Sequence, residues 1–216
     1  MIDLFEKYIR KSNPVSTYTN EVRELNGCHG AILATDGFEQ SELFGPKAAL
    51  EKAGAIVHVI SLQPGRIRGW SNNEWGRSVQ VDMTVREAWS IQFDFLVLPG
   101  GVMSPDKLRN NAEAVAFVMS FGHKGRPVAA ICHGIQTLIE TGYLKGKRVT
   151  SWPSLRTDLA NAGAKWVDQE VVVDEKIITS RKPSDIPAFN AAMIEQFSQD
   201  KIHSTQNHSV SEQPTL

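Results

Sequence analysis

The chain has 216 residues, of which 41% are apolar and 22% charged, and its formal net charge at pH 7 is −1. This length and composition are typical of one globular domain, and a near-neutral chain without a long basic block argues against a nucleic-acid partner. No run approaches the roughly 20 apolar residues of a membrane span, and the charged residues within 1–11 interrupt any signal-peptide core. We therefore expect a cytoplasmic protein that binds neither a membrane nor nucleic acid.

The two ends of the chain differ in composition from its middle. Residues 1–27 include the helix-breaking run Ser12-Asn13-Pro14 and are predicted to be an N-terminal extension. Residues 198–216 are rich in Ser, Gln, His and Thr and hold few large apolar side chains. Such a segment buries too little to offset the entropy of ordering, so we predict a mobile polar C-terminal tail. The α/β domain is therefore predicted over residues 28–197.

Strand-like and helix-like segments alternate through this middle region. Apolar runs predict strands, in chain order, at residues 31–34, 56–62, 93–98, 127–131 and 148–151. Helices are predicted at residues 43–53, 112–123, 133–141, 155–162 and 187–197. Residues 79–82 indicate a small side hairpin, and residues 171–173 and 177–179 flank a second one. This alternation predicts a mainly parallel sheet covered by helices on both faces.

Three unusual loops follow predicted strands and should share one edge of that sheet. They are Asp36-Gly37-Phe38-Glu39, Gly100-Gly101 and Cys132-His133-Gly134. Sheets of this kind bind ligands just beyond the carboxyl ends of their strands. We therefore expect the three loops to converge on one site.

Cys132 lies between a small apolar strand and a predicted helix, which is the setting of a nucleophile elbow. The helix amino terminus and its unpaired N–H groups favour the reactive thiolate. The N–H of His133 and that of Gly101 are candidate donors to a developing oxyanion. The alternative interpretation of Cys132 is a buried structural thiol, because free cysteine is among the most buried residues.

The neighbouring ionisable side chains also allow two interpretations each. His133 is either a general base or imidazolium partner of the thiol, or a surface histidine at a helix start. If Glu39 lies beside Cys132, its carboxyl should be protonated and hydrogen-bonded to sulfur, because an ionised one would raise the thiol pKa. Otherwise Glu39 is an ordinary carboxylate in the first turn of a helix. No Cys/His spacing resembles a zinc site, and no metal or cofactor is predicted.

Six stretches in fixed order resemble the PfpI family of the PfpI/ThiJ superfamily, which is related in fold to class I glutamine amidotransferases. They span roughly residues 29–197, and they are Ala34–Leu43, Leu98–Gly101, Ala130–Gly134, Thr150–Pro153, Asn161–Ala164 and Glu170–Asp174. Any one stretch is a weak signal, whereas the ordered set is specific. The resemblance implies a single flavodoxin-like three-layer α/β sandwich with a nucleophile elbow.

The resemblance also implies roles for individual residues. Cys132 matches the family nucleophile, His133 the histidine after it, and Glu39 the acid whose carboxyl meets the thiol. Gly101 and the His133 backbone match the oxyanion-binding positions. Asp106 matches an acid that, in some members, orients the histidine of a neighbouring subunit, which implies a homodimer or higher homo-oligomer. Here an Asp stands where Glu is expected, and its side chain is one methylene shorter.

Two further positions depart from related patterns. Ile135 stands where the family usually has proline. Residues 179–185 contain no histidine, whereas a glutaminase needs a His-x-Glu pair downstream of its nucleophile. Glutamine amidotransferase activity is therefore not expected despite the related fold.

The resemblance implies several chemistries that share one thiol. We place first a stress-protective enzyme of the glyoxalase or deglycase type, which acts on small reactive dicarbonyls or their protein adducts. An intracellular cysteine peptidase acting on proteins or peptides is the second hypothesis. A non-enzymatic oxidative-stress sensor or chaperone that uses Cys132 is the third.

Overall fold

The computed structural model of the chain describes residues 24–88 and 93–210. Most of the predicted N-terminal extension and the last six residues of the predicted tail lie outside this range. Within the described residues, no helix is long and apolar enough to cross a membrane.

The described residues form twelve strands, several of them only two residues long. In chain order they are β1 (His29–Leu33), β2 (Phe38–Glu39), β3 (Ile56–Ser61), β4 (Arg66–Ser71), β5 (Glu74–Gln80), β6 (Met83–Thr84), β7 (Phe95–Leu98), β8 (Val128–Ile131), β9 (Arg148–Val149), β10 (Lys165–Trp166), β11 (Val171–Asp174) and β12 (Ile177–Ser180).

Seven of these strands form the central sheet, in the order β11-β12-β8-β7-β1-β3-β6. Every neighbouring pair is parallel except β11 and β12, which form the predicted antiparallel hairpin. The β4–β5 hairpin includes the predicted residues 79 and 80, and it pairs with β2 in a separate three-stranded sheet. The mainly parallel α/β sheet predicted from the sequence is therefore confirmed.

Six α-helices accompany the strands within the described residues. They are α1 (Gln40–Lys52), α2 (Met103–Arg109), α3 (Ala112–His123), α4 (Gln136–Ile139), α5 (Arg156–Asn161) and α6 (Ile186–Val210). Short 3₁₀ turns at Pro153–Leu155 and Pro183–Asp185 precede α5 and α6.

Alternate residues of the central strands supply two separate cores, because successive side chains of a strand point to opposite faces. In β1, Ala31 and Leu33 belong to one apolar cluster, whereas Ile32 belongs to the other. The first cluster contains side chains of α2, α3, α4 and α5, and the second those of α1 and α6. Helices on both faces of one sheet give the predicted three-layer sandwich.

Two helix boundaries near the sheet edge differ from the sequence prediction. Helix α1 begins at Gln40, three residues earlier than predicted, and continues through Pro46. The helix predicted to start at His133 is a single α-turn, Gln136–Ile139, preceded by tight turns such as the Gly134 N–H to Ile131 carbonyl bond of 2.9 Å. So short a helix has a small macrodipole, and local N–H groups must supply most of the stabilisation at Cys132.

The two predicted terminal boundaries also shift. Leu25 is fully buried, and its N–H donates to the Ala53 carbonyl at 2.9 Å, so the folded unit includes the last residues of the predicted extension. Helix α6 continues past the predicted end at Phe197 as far as Val210. Within the predicted tail, the Lys201 ammonium donates to the Asn26 carbonyl at 2.6 Å.

A stacked aromatic pair fixes this helix on the sheet. The rings of Phe95 in β7 and Phe197 in α6 lie 4.2 Å apart at 11°. We expect Phe197→Ala to lower the free energy of unfolding by about 3 kcal/mol, because it leaves a cavity under the sheet. Urea unfolding followed by circular dichroism measures this change. Ser198→Ala, one residue along the helix, is the control, and an equal effect of the two substitutions would contradict the assigned contact.

Candidate active site

The three loops predicted to share an edge do meet there. Cys132 follows β8, Gly100 follows β7, and the N–H of Glu39 in β2 donates to the Gly100 carbonyl at 3.0 Å. A side-chain carbon on Gly100 would lie 2.5 Å from a carboxyl oxygen of Glu42 and 2.7 Å from Cys132 Cβ. Only glycine therefore fits between the acid and the thiol.

Cys132 has the strained backbone of a nucleophile elbow. Its φ of +61° lies in the left-handed region, which costs a non-glycine residue about 1–2 kcal/mol. Two hydrogen bonds hold this conformation: the Cys132 N–H donates to the Ser180 carbonyl at 3.0 Å, and the Cys132 carbonyl accepts from the Trp152 N–H at 3.3 Å. The thiol itself is nearly buried, with 6% of the residue exposed.

Two backbone donors point at the sulfur. The N–H groups of Gly101 and His133 both act to lower the pKa of the Cys132 thiol, as donors that stabilise the thiolate do. Gly101 adopts a φ of +84°, and a side-chain carbon there would lie 2.6 Å from the backbone of Glu39. The structure thus brings together the two donors that the sequence placed at an oxyanion site.

The carboxyl that meets the thiol belongs to Glu42, so the prediction that Glu39 fills this position is wrong. Glu42 is completely buried and accepts from the Gly100 N–H at 3.0 Å, and its carboxyl lies beside Cys132, which lowers the pKa of Glu42. Glu39 instead caps α1, where it accepts from the Ser41 N–H at 2.7 Å and from the Ser41 hydroxyl at 3.0 Å. The second interpretation of Glu39, a carboxylate at a helix start, matches this geometry.

Burial sets the protonation of this pair. Desolvation, with the nearby charge of Glu39, raises the pKa of Glu42 from 4.5 to about 8, although the Gly100 N–H and Cys132 oppose the shift. Burial and the charge of an ionised Glu42 also raise the pKa of the Cys132 thiol, against the N–H groups of Gly101 and His133. Near neutral pH the acid is therefore mostly protonated, which removes its repulsion of a thiolate.

His133 lies directly against the thiol. Its Nδ1 is 3.3 Å from Cys132 Sγ, and its Nε2 is 3.5 Å from the Ser154 hydroxyl. Its ring stacks on that of Trp152, with centroids 6.0 Å apart and planes at 26°. Desolvation lowers the pKa of His133, which favours the neutral imidazole that a general base requires.

Asp106 lies apart from this group in the single chain. It is exposed on α2 and lines a polar cleft of about 320 Å³ with Arg109, Asn110 and Glu140. No hydrogen bond or ion pair in the described residues joins it to His133. Its reach to the histidine of a neighbouring subunit stays a prediction.

Three side chains of the site are not among those predicted from the sequence: Glu42, Trp152 and Ser154. The helix is predicted to start at residue 43, which leaves Glu42 outside it. Placing the start at Gln40 instead would have put Glu42 in the first helical turn. Trp152 lay in a matching stretch, but no sequence signal placed its ring on His133. No group of three or more His, Cys, Asp or Glu side chains in the described part of the chain is arranged to hold a metal ion.

Comparison with known proteins identifies the family of the chain. Residues 30–196 match the DJ-1/PfpI family. The chain is 45% identical to "Deglycase TK1284" of Thermococcus kodakarensis over 158 residues, which cover 73% of this chain and 92% of that protein. It is 44% identical to "Putative cysteine protease YraA" of Bacillus subtilis over 161 residues, covering 74% of this chain and 92% of that protein.

A solved structure supports the fold independently. A two-domain protein from Anabaena variabilis, with DJ-1/ThiJ/PfpI-like and ferritin-like domains, superposes with a TM-score of 0.74 at 38% identity. The match covers 78% of this chain, which spans about half (48%) of the length of that protein. With the elbow, the family match and these relatives in agreement, the chain belongs to the DJ-1/PfpI family.

Proposed function

We propose that the chain is a cysteine-dependent enzyme that acts on reactive dicarbonyls or on the adducts they form with protein side chains. The observation that carries the proposal is the convergence on Cys132 Sγ of a base, an acid and two backbone donors. The relative named a deglycase, at 45% identity, supports the same chemistry.

The first step is addition of sulfur to an aldehyde. His133 Nδ1 takes the thiol proton, and the thiolate attacks the aldehyde carbon of a dicarbonyl such as methylglyoxal. The carbonyl electron pair moves to oxygen, where the N–H groups of Gly101 and His133 stabilise the negative charge. A proton from Glu42 completes the hemithioacetal.

The second step is an isomerisation followed by hydrolysis. The former aldehyde carbon loses its proton, and the neighbouring ketone carbon gains one through an enediol, which gives a lactoyl thioester. Water then hydrolyses this thioester to lactate and restores the thiol. The sum is methylglyoxal plus water giving lactic acid, so no external oxidant or reductant is needed.

Adducts on proteins fit the same sequence of steps. Sulfur attacks the carbon that carries the amine or guanidine nitrogen, and that nitrogen leaves with a proton. The product is the same hemithioacetal on Cys132, which then follows the same isomerisation and hydrolysis. The site must therefore donate a proton to the leaving nitrogen, which a carboxyl that keeps its proton near neutral pH can do.

Lactate formation from methylglyoxal tests the proposal. We expect Cys132→Ala to abolish turnover and Glu42→Gln to lower kcat by about 100-fold, because the amide cannot transfer a proton. Glu39→Gln should lower kcat by less, because it alters a helix cap and leaves the Glu42 carboxyl beside Cys132 unchanged. Turnover that survives Cys132→Ala, or an equal loss in the two glutamine variants, would contradict the assignment.

The protonated state of Glu42 has a measurable effect on stability. Because its pKa is raised from 4.5 to about 8, the folded chain keeps a proton that the unfolded chain releases between these values. The free energy of unfolding should therefore fall as pH rises through this window, by up to about 1.4 kcal/mol per pH unit from this group. Glu42→Gln has no such proton and should show a flatter profile.

Chemical unfolding at about pH 5 and about pH 8 compares the two proteins. The exposed Glu51 lies near the other end of the same helix, so Glu51→Gln is the matched control and should keep the wild-type slope. Parallel profiles for wild type and Glu42→Gln would show that the buried carboxyl is not protonated near neutral pH.

Peptidase activity is the second candidate function. The direct contact between Cys132 Sγ and His133 Nδ1 is the pair that acyl transfer requires, and one relative is named a putative cysteine protease. A panel of fluorogenic peptides separates this function from the first. Cleavage that Cys132→Ala abolishes, without lactate formation from methylglyoxal, would replace the first proposal by this one.

A further inference from the structure

We propose that Ser154 is a positioning residue for His133: its hydroxyl accepts a hydrogen bond from Nε2–H and favours the tautomer whose Nδ1 takes the Cys132 proton. The inference rests on the proposed use of Cys132 as a nucleophile. It assigns to the same protomer a task that the sequence resemblance gave to an acid of a neighbouring subunit.

The tautomer of His133 decides what the histidine can do. A neutral imidazole carries one N–H and one lone pair, on different nitrogens. Nδ1 is 3.3 Å from Cys132 Sγ, so Nδ1 must carry the lone pair if it is to accept the thiol proton. The hydrogen must then be on Nε2, and the group that faces Nε2 selects this form.

The group that faces Nε2 is the hydroxyl of Ser154, at 3.5 Å. This distance is long for a hydrogen bond, but catalytic contacts commonly shorten when substrate binds. It should also shorten once the histidine is charged, because charge-assisted hydrogen bonds are shorter and stronger. Ser154 therefore stabilises His133 both before and after proton transfer.

The backbone around Ser154 is tied to the elbow. Ser154 is the middle residue of the turn Pro153–Leu155, and the Trp152 N–H just before it donates to the Cys132 carbonyl at 3.3 Å. Leu155, just after it, is buried in the first apolar cluster. These two attachments fix the position of the Ser154 hydroxyl beside the His133 ring.

Trp152 restricts the same ring from its face. The stacked indole limits the plane of the imidazole, and 40% of Trp152 remains exposed. An aromatic face also favours a cation over a neutral ring, which opposes the desolvation of charged His133. Trp152 thus sets the ring plane, whereas Ser154 distinguishes its two nitrogens.

The proposal competes directly with an acid supplied in trans. Because Nδ1 is engaged by sulfur, Asp106 of a second copy would have to approach Nε2, where Ser154 already lies. If Ser154 orients His133, Ser154→Ala should slow the reaction of the Cys132 thiol. If Asp106 of a second copy orients it, Asp106→Asn should slow that reaction instead.

Alkylation of Cys132 by iodoacetamide tests these sensitivities without any substrate. Rates are followed against pH in the full chain by mass spectrometry, with peptide mapping to separate Cys132 from Cys28. We expect Ser154→Ala to slow alkylation near neutral pH by about 3–10-fold and Ser154→Thr to restore it. Ser184→Ala is the matched control, because Ser184 is the middle residue of the other Pro-Ser turn and its hydroxyl contacts Asp185.

Nitrogen-15 spectra of the His133 ring supply the second readout. We expect the hydrogen on Nε2 in the wild type, and a lower titration midpoint for His133 in Ser154→Ala because the imidazolium loses an acceptor. Any of three results would overturn the proposal. They are a hydrogen on Nδ1, an unchanged alkylation profile in Ser154→Ala, and a slower alkylation of Cys132 that is confined to Asp106→Asn. If Ser154 dependence appears but methylglyoxal gives no lactate, the proposed function fails and the positioning role holds.

Discussion

The site depends on one buried contact, between the Glu42 carboxyl and the Cys132 thiol. The two groups approach because Gly100 between them has no side chain, and its N–H fixes the carboxyl at 3.0 Å. Removing an acid from water favours its neutral form, so burial itself makes Glu42 a hydrogen-bond donor near neutral pH. A carboxylate in the same place would repel the thiolate that the chemistry needs.

The rest of the fold holds this contact in place. Parallel strands bring β7 and β8 to the same edge, so Gly100 and Cys132 become neighbours although they are far apart in sequence. Helices on both faces bury the sheet, and the packed core offsets the strain of the left-handed backbone at Cys132. A loop without this support would relax and carry the sulfur away from its donors.

Short apolar runs and glycine-rich loops made the sheet and its active edge predictable from the sequence. The same reasoning identified Cys132, His133 and Gly101, since each follows a buried strand. The acid was assigned to Glu39 from the family resemblance, whereas Glu39 caps the helix and the first turn directs Glu42 inward. Ser154 had no local signal, because its meeting with His133 depends on how a turn 21 residues away packs on the elbow.

The resting site is therefore close to neutral, and charge appears in it only as the reaction proceeds. Burial favours the uncharged forms of Cys132, Glu42 and His133 alike. Transfer of the thiol proton to His133 creates a thiolate and an imidazolium together, and each charge already has partners. The thiolate faces the N–H groups of Gly101 and His133, while the imidazolium faces Ser154 and the ring of Trp152. Donors and acceptors placed beforehand need no reorganisation at the moment of reaction, which is where a buried site gains over water.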